Sequence, residues 1–185
     1  MTEPDRGHHL SMDADAAAPF SHCSACGRRF ATRAGWPRTC RACGHVAYRN
    51  PIPVVVLALP VEDAGVLAVR RRQPPVGLAL PSGYVEYGEA WQDAAARELE
   101  EETGVRVDAA TVRELAVRSG GDGTLLVFAT APAIARRDLR RFTASAEVSE
   151  LVIVTRPCDA LVFPLDAEVL GMVQGGGGRP MRCDG

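Results

Sequence analysis

The sequence predicts an α/β fold, a mixed sheet with helices packed on it, preceded by a small cysteine ribbon. Three observations predict it. Two C-x-x-C pairs stand near the start, short β-rich apolar runs begin at Pro53, and one alanine-rich helical stretch interrupts those runs. Strands with helices interspersed along one chain imply a mixed sheet covered by helices.

The 185 residues suffice for one good core and a small appendage, and the apolar and charged fractions, 46% and 24%, are those of a globular protein. With aromatics at only 5%, the core is expected to be Val, Leu and Ala. A formal net charge of −2 gives no global signal for nucleic acid. All 21 basic residues are Arg, which excludes phosphate-loop and Schiff-base lysine chemistry. The chain shows no signal-peptide pattern, and "PIPVVVLALPV" is too short to span a bilayer. A cytoplasmic protein without membrane contact is therefore expected, and in that reducing compartment cysteines serve metals or stay free before they form disulfides.

Residues 1–19 are polar and alanine-rich without a sustained apolar stripe, and 175–185 read "GGGGRPMRCDG", so both are expected to be disordered tails. His8 and His9 receive no role. Residues 20–50 are expected to form the ribbon. Cys23 and Cys26, then Cys40 and Cys43, are two C-x-x-C pairs, each followed by a glycine, Gly27 or Gly44, that relieves a tight turn. Four thiolates at such spacing saturate one tetrahedral Zn²⁺, and a closed four-sulfur site makes that zinc structural. Two redox dithiols are the alternative. His22 and His45 are surplus to a full tetrahedron, while Cys158 and Cys183 lack partners at metal spacing. The ribbon carries Arg28, Arg29, Arg33, Arg38, Arg41 and Arg49 with no acidic residue, so a nucleic-acid-binding module is a competing reading.

Residues 51–174 are expected to be the main domain. "PVVVLALPV" and "GVLAVRR" read as strands joined by the turn "EDAG", and further strands are expected over 111–118, 124–130 and 151–155. "GLALPSG" leads into a helix that ends at Gly104, a C-cap glycine, and a last helix is expected over 165–173.

That central helix holds Glu98, Glu100, Glu101 and Glu102. At about 100° per residue, Glu98, Glu101 and Glu102 share one narrow sector and Glu100 points away. Such like charges cost only tenths of a kcal/mol each in water, so energy alone leaves a solvated face open. The flanking pattern decides. Gly83, Glu89, Arg97-Glu98-Leu99, Glu101-Glu102 and Gly104-Val105 stand at the spacing of a Nudix box, and the chain resembles Nudix hydrolases there at every defined position. The four-cysteine ribbon, then "YRNP", then the box further resembles NADH pyrophosphatases and plant FAD/ADP-ribose pyrophosphatases over about residues 22–170. Two departures stand out: no S-Q-P-W-P-F-P signature follows the box, and "GLALPSG" lacks the usual Trp.

The resemblance implies an α/β/α sandwich with a mixed sheet and a metal-dependent pyrophosphatase that splits a nucleoside diphosphate linked to another moiety. FAD, ADP-ribose and NADH are the candidates in that order, with a pathway-specific nucleoside di- or triphosphate hydrolase as the alternative. By resemblance Glu98, Glu101 and Glu102 would hold the metal, Glu89 would hold Arg97 as a structural ion pair, and Gly83 would supply the loop before the helix. An oxygen-only ligand set independently suits a hard cation, Mg²⁺ or Mn²⁺. Glu147 and Glu150 in "SAEVSEL" have a spacing familiar from dinucleotide-hydrolysing relatives. Glu147 is the expected base or extra ligand, with a plain polar loop residue as the alternative. Arg70 and Arg72, with Arg71 between them, end a strand before the box and are expected to meet the phosphates; a solvated strand end is the other reading. A small-molecule partner follows, nucleic acid is not expected as the main one, and a homodimer is left open.

Overall fold

The computed structural model describes residues 19–31, 35–156 and 160–173. The expected tails apart from Pro19, and with them His8, His9 and Cys183, lie outside these residues, as do Arg33 and Cys158. The chain divides after Asn50 into two compact units.

The first unit is built on a repeated local design. The Gly27 N–H donates to the Cys23 carbonyl at 2.8 Å and the Gly44 N–H to the Cys40 carbonyl at 2.9 Å, closing two like knuckles. Gly27 and Gly44 sit at φ 70° and 75°, in the left-handed region that a side chain would disfavour. The second knuckle is the turn of an antiparallel pair, β1 (Arg38–Thr39) and β2 (Val46–Ala47). Cys23, Phe30 and Cys40 form its small buried centre.

The second unit holds two sheets. In the first, β3 (Ile52–Leu57) lies between β7 (Ser82–Tyr84), antiparallel, and β9 (Thr124–Thr130), parallel, with β8 (Arg113–Ser119) antiparallel beyond β9. In the second, β5 (Gly65–Arg71) pairs along its length with β10 (Val148–Val154), while β4 (Pro60–Val61) and β6 (Gly77–Ala79) pair with its two ends. All these pairs in the second sheet are antiparallel. Alternation along the strands feeds two cores. Val55, Leu57 and Leu67 pack with Ala94, Ala95 and Leu99 of helix α1 (Trp91–Thr103), whereas Val56, Ala58, Val66 and Ala68 pack with Val169 and Leu170 of helix α2 (Pro164–Val173). The expected α/β/α sandwich with a mixed sheet is what forms.

Element limits differ from expectation where neighbours intervene. The run from Pro53 to Val61 breaks into β3 and β4, which belong to different sheets. Asp108 accepts the Ala110 N–H and holds a short 3-10 turn over Ala109–Thr111, so β8 starts at Arg113 and not at 111. β10 starts at Val148, three positions before the expected start at 151, because a register shift between Val148 and Glu150 blurs its alternation.

Candidate active site

Helix α1 rises behind the loop between β6 and β7, and its sequence explains both of its ends. Ala94, Ala95 and Ala96 favour helix, and Gly104 terminates it at φ 71° with its N–H on the Glu100 carbonyl at 2.8 Å. The loop in front is held from both sides. The Ser82 N–H donates to Glu102 of α1 at 3.2 Å, and the Leu80 N–H donates to Asp166 of α2 at 2.9 Å. Gly83 cannot be another residue without rearrangement, since a Cβ there would fall onto the Glu98 carboxylate.

Arg97 organises the acidic face. Its guanidinium grips Glu89 through two bonds, 2.9 and 3.0 Å, reaches Glu98 at 2.7 Å and Glu101 at 3.4 Å, and donates to the Tyr84 carbonyl at 3.0 Å. This bidentate grip and the Glu86 N–H hold the Glu89 carboxyl below its ordinary range. Burial pushes Glu98 up, against the Arg97 guanidinium beside it. Burial also pushes Glu102 up to about 8; the Ser82 N–H and the Arg71 charge act against this, and Glu98 and Glu147 add to it. Glu100 points elsewhere and pairs with Arg106 at 2.7 Å. Glu100 thus stands apart from the Arg97 network that engages Glu98 and Glu101.

Glu147 stands immediately before β10, and its carbonyl accepts the Arg72 N–H at 2.7 Å. Its side chain lines a small cavity together with Glu102, Arg71, Gln73 and Val148. A second cavity of about 490 Å³ lies beside the box loop, lined by Ser82, Gly83, Tyr84, Arg71 and residues of β3, β9 and α2. Arg71 belongs to both.

The match to known proteins falls on this unit. The NUDIX domain matches residues 51–162, more than half of the chain. The chain belongs to the Nudix hydrolase family. The NAD-capped RNA hydrolase NudC of Klebsiella pneumoniae is 34% identical over 86 residues, 46% of this chain and 34% of that protein. NudC of Photobacterium profundum is 33% identical over 88 residues, 47% of this chain and 33% of the other. The chain thus spans about a third of the length of these relatives. Among solved structures, a NUDIX hydrolase from Nitrosomonas europaea superposes with a TM-score of 0.65 at 26% identity, covering 88% of this chain and 96% of that one.

The Nudix box residues fit a hard divalent cation by donor chemistry. Glu98 and Glu102 are carboxylates that burial makes costly to ionise, and a cation offsets that cost. Glu98, Glu101 and Glu102 do not draw three oxygens as close together as the cysteines draw their sulfurs; the cysteine quartet is the one such cluster among the described residues. Arg97 explains the spacing, since it engages Glu98 and Glu101 together. Mg²⁺ tolerates it, because this ion keeps several waters and takes one or two carboxylates plus substrate phosphates.

The cysteines fit Zn²⁺ by geometry. Cys23 and Cys43 sulfurs are 3.8 Å apart and those of Cys26 and Cys40 3.6 Å, all four lying within 4.8 Å of one another. Zn–S bonds of about 2.3 Å set the edge of a tetrahedron at about 3.8 Å.

The three consecutive arginines have different surroundings. Arg70 pairs with Glu150 at 2.7 Å on an exposed part of the sheet, and Arg72 is exposed outside both cavities. Arg71, half-buried, is the one that faces the acidic helix and the larger cavity. Asp166 was not expected at all: in sequence it is one more acid in the first turn of a helix.

Proposed function

We propose that this chain is a metal-dependent pyrophosphatase that hydrolyses a nucleoside diphosphate linked to another moiety, releasing a nucleoside monophosphate and a second phosphate product. The observation that carries this reading is the convergence of Glu102, Glu147 and Arg71 on one small cavity, with the half-buried Glu98 near enough for its charge to act on Glu102. A Mg²⁺ or Mn²⁺ held by Glu98, Glu101 and Glu102 would neutralise diphosphate charge and activate water. Arg71 pairs with a phosphate oxygen of the substrate, from a position where its charge already acts on Glu102. Glu147 accepts the proton of the attacking water, because it shares the cavity with Glu102 and stays outside the Arg97 network. Arg97 and Glu89 hold the helix face in register and touch no substrate. Arg70 and Arg72 contribute background positive charge. Zn²⁺ on Cys23, Cys26, Cys40 and Cys43 has a structural role.

The substrate class stays FAD, ADP-ribose or an NAD-type dinucleotide. The names of the NudC relatives support the last, since NAD contains a diphosphate bridge between two nucleosides. The test is a screen of dinucleotides, nucleotide sugars and nucleoside triphosphates with Mg²⁺ and with Mn²⁺, products identified by mass. Cleavage at the diphosphate bridge of a nucleotide derivative is the expected result; inertness toward every diphosphate sinks the reading.

A further inference from the structure

The charge of the chain is unevenly divided between its two units. Six of the 21 arginines and none of the 23 acids fall within residues 20–50. Four thiolates on one Zn²⁺ would set only two negative charges against those arginines. Arg28, Arg41 and Arg49 are exposed, and none of the three forms an ion pair among the described residues.

Aromatic rings are interleaved with that charge. Trp36 meets Phe20 and Phe30 edge to face, with centroids 6.0 and 6.5 Å apart. The Arg38 guanidinium lies 4.3 Å over the Trp36 ring and that of Arg49 5.1 Å over the Phe20 ring. Only Phe30 among these rings belongs to the buried centre of the ribbon. Phe20 is 55% exposed and Tyr48 66%, so both present ring surface that the ribbon does not use to hold itself together. Phe20 is moreover held at φ 62°, a left-handed conformation that is unusual for a bulky residue, and its carbonyl accepts a bond from the Arg38 guanidinium at 3.2 Å.

Exposed rings set among guanidinium groups suit a ligand that is itself flat and anionic by turns, as unpaired bases on a phosphodiester backbone are. A duplex keeps its flat faces stacked inside. A lipid surface calls for aliphatic area, not for rings covered by guanidinium groups. RNA is the nucleic acid whose loops and ends commonly offer unpaired bases to aromatic side chains. We propose that the ribbon is a binding surface for single-stranded RNA, on which Phe20 and Tyr48 stack with bases and Arg28, Arg41 and Arg49 pair with phosphates.

The full chain as purified, without added Mg²⁺, is titrated into a labelled single-stranded RNA of about 12 nucleotides and followed by fluorescence anisotropy. The same RNA as a duplex, and phosphatidylglycerol vesicles at equal phosphate, are the competitors. Single-stranded RNA is expected to bind at least about tenfold more tightly than either, with log K falling against log salt at a slope of about −2 for three phosphates. Phe20→Leu and Tyr48→Leu keep an apolar side chain and remove the ring, so each should weaken RNA binding about tenfold and leave the salt slope in place. Arg28→Gln with Arg41→Gln should instead remove more than half of the slope. Retained zinc shows that a variant is folded; should Phe20→Leu lose it, Tyr48→Leu decides, since that side chain stands clear of the buried centre. No binding at about 50 mM salt overturns the proposal, as does a duplex or a vesicle bound as tightly as the single strand. Wild-type affinity in both ring variants also overturns it, and the cleavage screen is untouched by either result.

Discussion

Below about pH 8, a proton competes with any cation for Glu102, because burial keeps that carboxyl neutral. Mn²⁺ affinity, followed by electron paramagnetic resonance between pH 6 and 8, is expected to rise about tenfold per pH unit and to flatten above that range. Glu102→Gln should remove the slope along with most of the binding, and a flat profile in the wild type would contradict the assignment. At this scale the sequence was informative about the acids and could not rank the three arginines. The sector shared by Glu98, Glu101 and Glu102 follows from helix period alone. Which of three consecutive arginines faces the acidic helix depends on a cross-strand partner, Glu150, that claims Arg70 from 80 positions away. No local pattern carries that information. Asp166 was hidden for the same reason: its role comes from Leu80, which only the fold brings to it.

The loop before α1 and the helix itself act as one element, because Gly83 leaves room for the Glu98 carboxylate. Gly83→Ala is expected to displace that carboxylate and lower turnover by about tenfold to a hundredfold, the scale of a misplaced catalytic group. Circular dichroism should remain that of the wild type; unchanged turnover would show that Glu98 has another position available. Elements with clean alternation and turn signals at both ends were legible: 124–130 forms β9 with the expected limits. Elements shaped by partners were not. β3 and β4 read as one apolar run because residues 55–59 and Val61 are all buried apolar side chains, and only the pairing of β4 with β5 assigns it to the other sheet.

At the scale of the whole molecule, Asp166 bears on the stability of the second unit and the cysteines on that of the first. Burial raises the Asp166 carboxyl from an ordinary 3.8 to about 7, with the Leu80 N–H and Arg71 opposing. The neutral form is thus favoured in the fold, and this contribution is lost as pH rises from about 4 through 7. Asp166→Asn keeps an acceptor for the Leu80 N–H without the charge. It is expected to stabilise the protein by up to about 4 kcal/mol at pH 8 and by less than half of that at pH 5, read from urea unfolding; equal gains at both pH values would contradict the burial argument. For the ribbon, metal analysis should find one Zn²⁺ per chain. Cys40→Ser should lose it and loosen residues 20–50 to proteolysis, while metal-dependent cleavage by the other unit persists. Zinc-free protein with intact cysteines would rule the site out. The central claim is that the acidic face of α1 is a divalent-metal centre for diphosphate cleavage. The most direct measurement is the cleavage rate of the best diphosphate substrate under chelation and after Mg²⁺ is restored, in wild type, Glu102→Gln, Glu147→Gln and Glu100→Gln. The account predicts no cleavage under chelation and recovery with Mg²⁺. It predicts losses of several orders of magnitude for Glu102→Gln, a clear fall in turnover beyond any change in binding for Glu147→Gln, and near-wild-type rates for Glu100→Gln. Cleavage that survives chelation, or equal losses in all three variants, would contradict it.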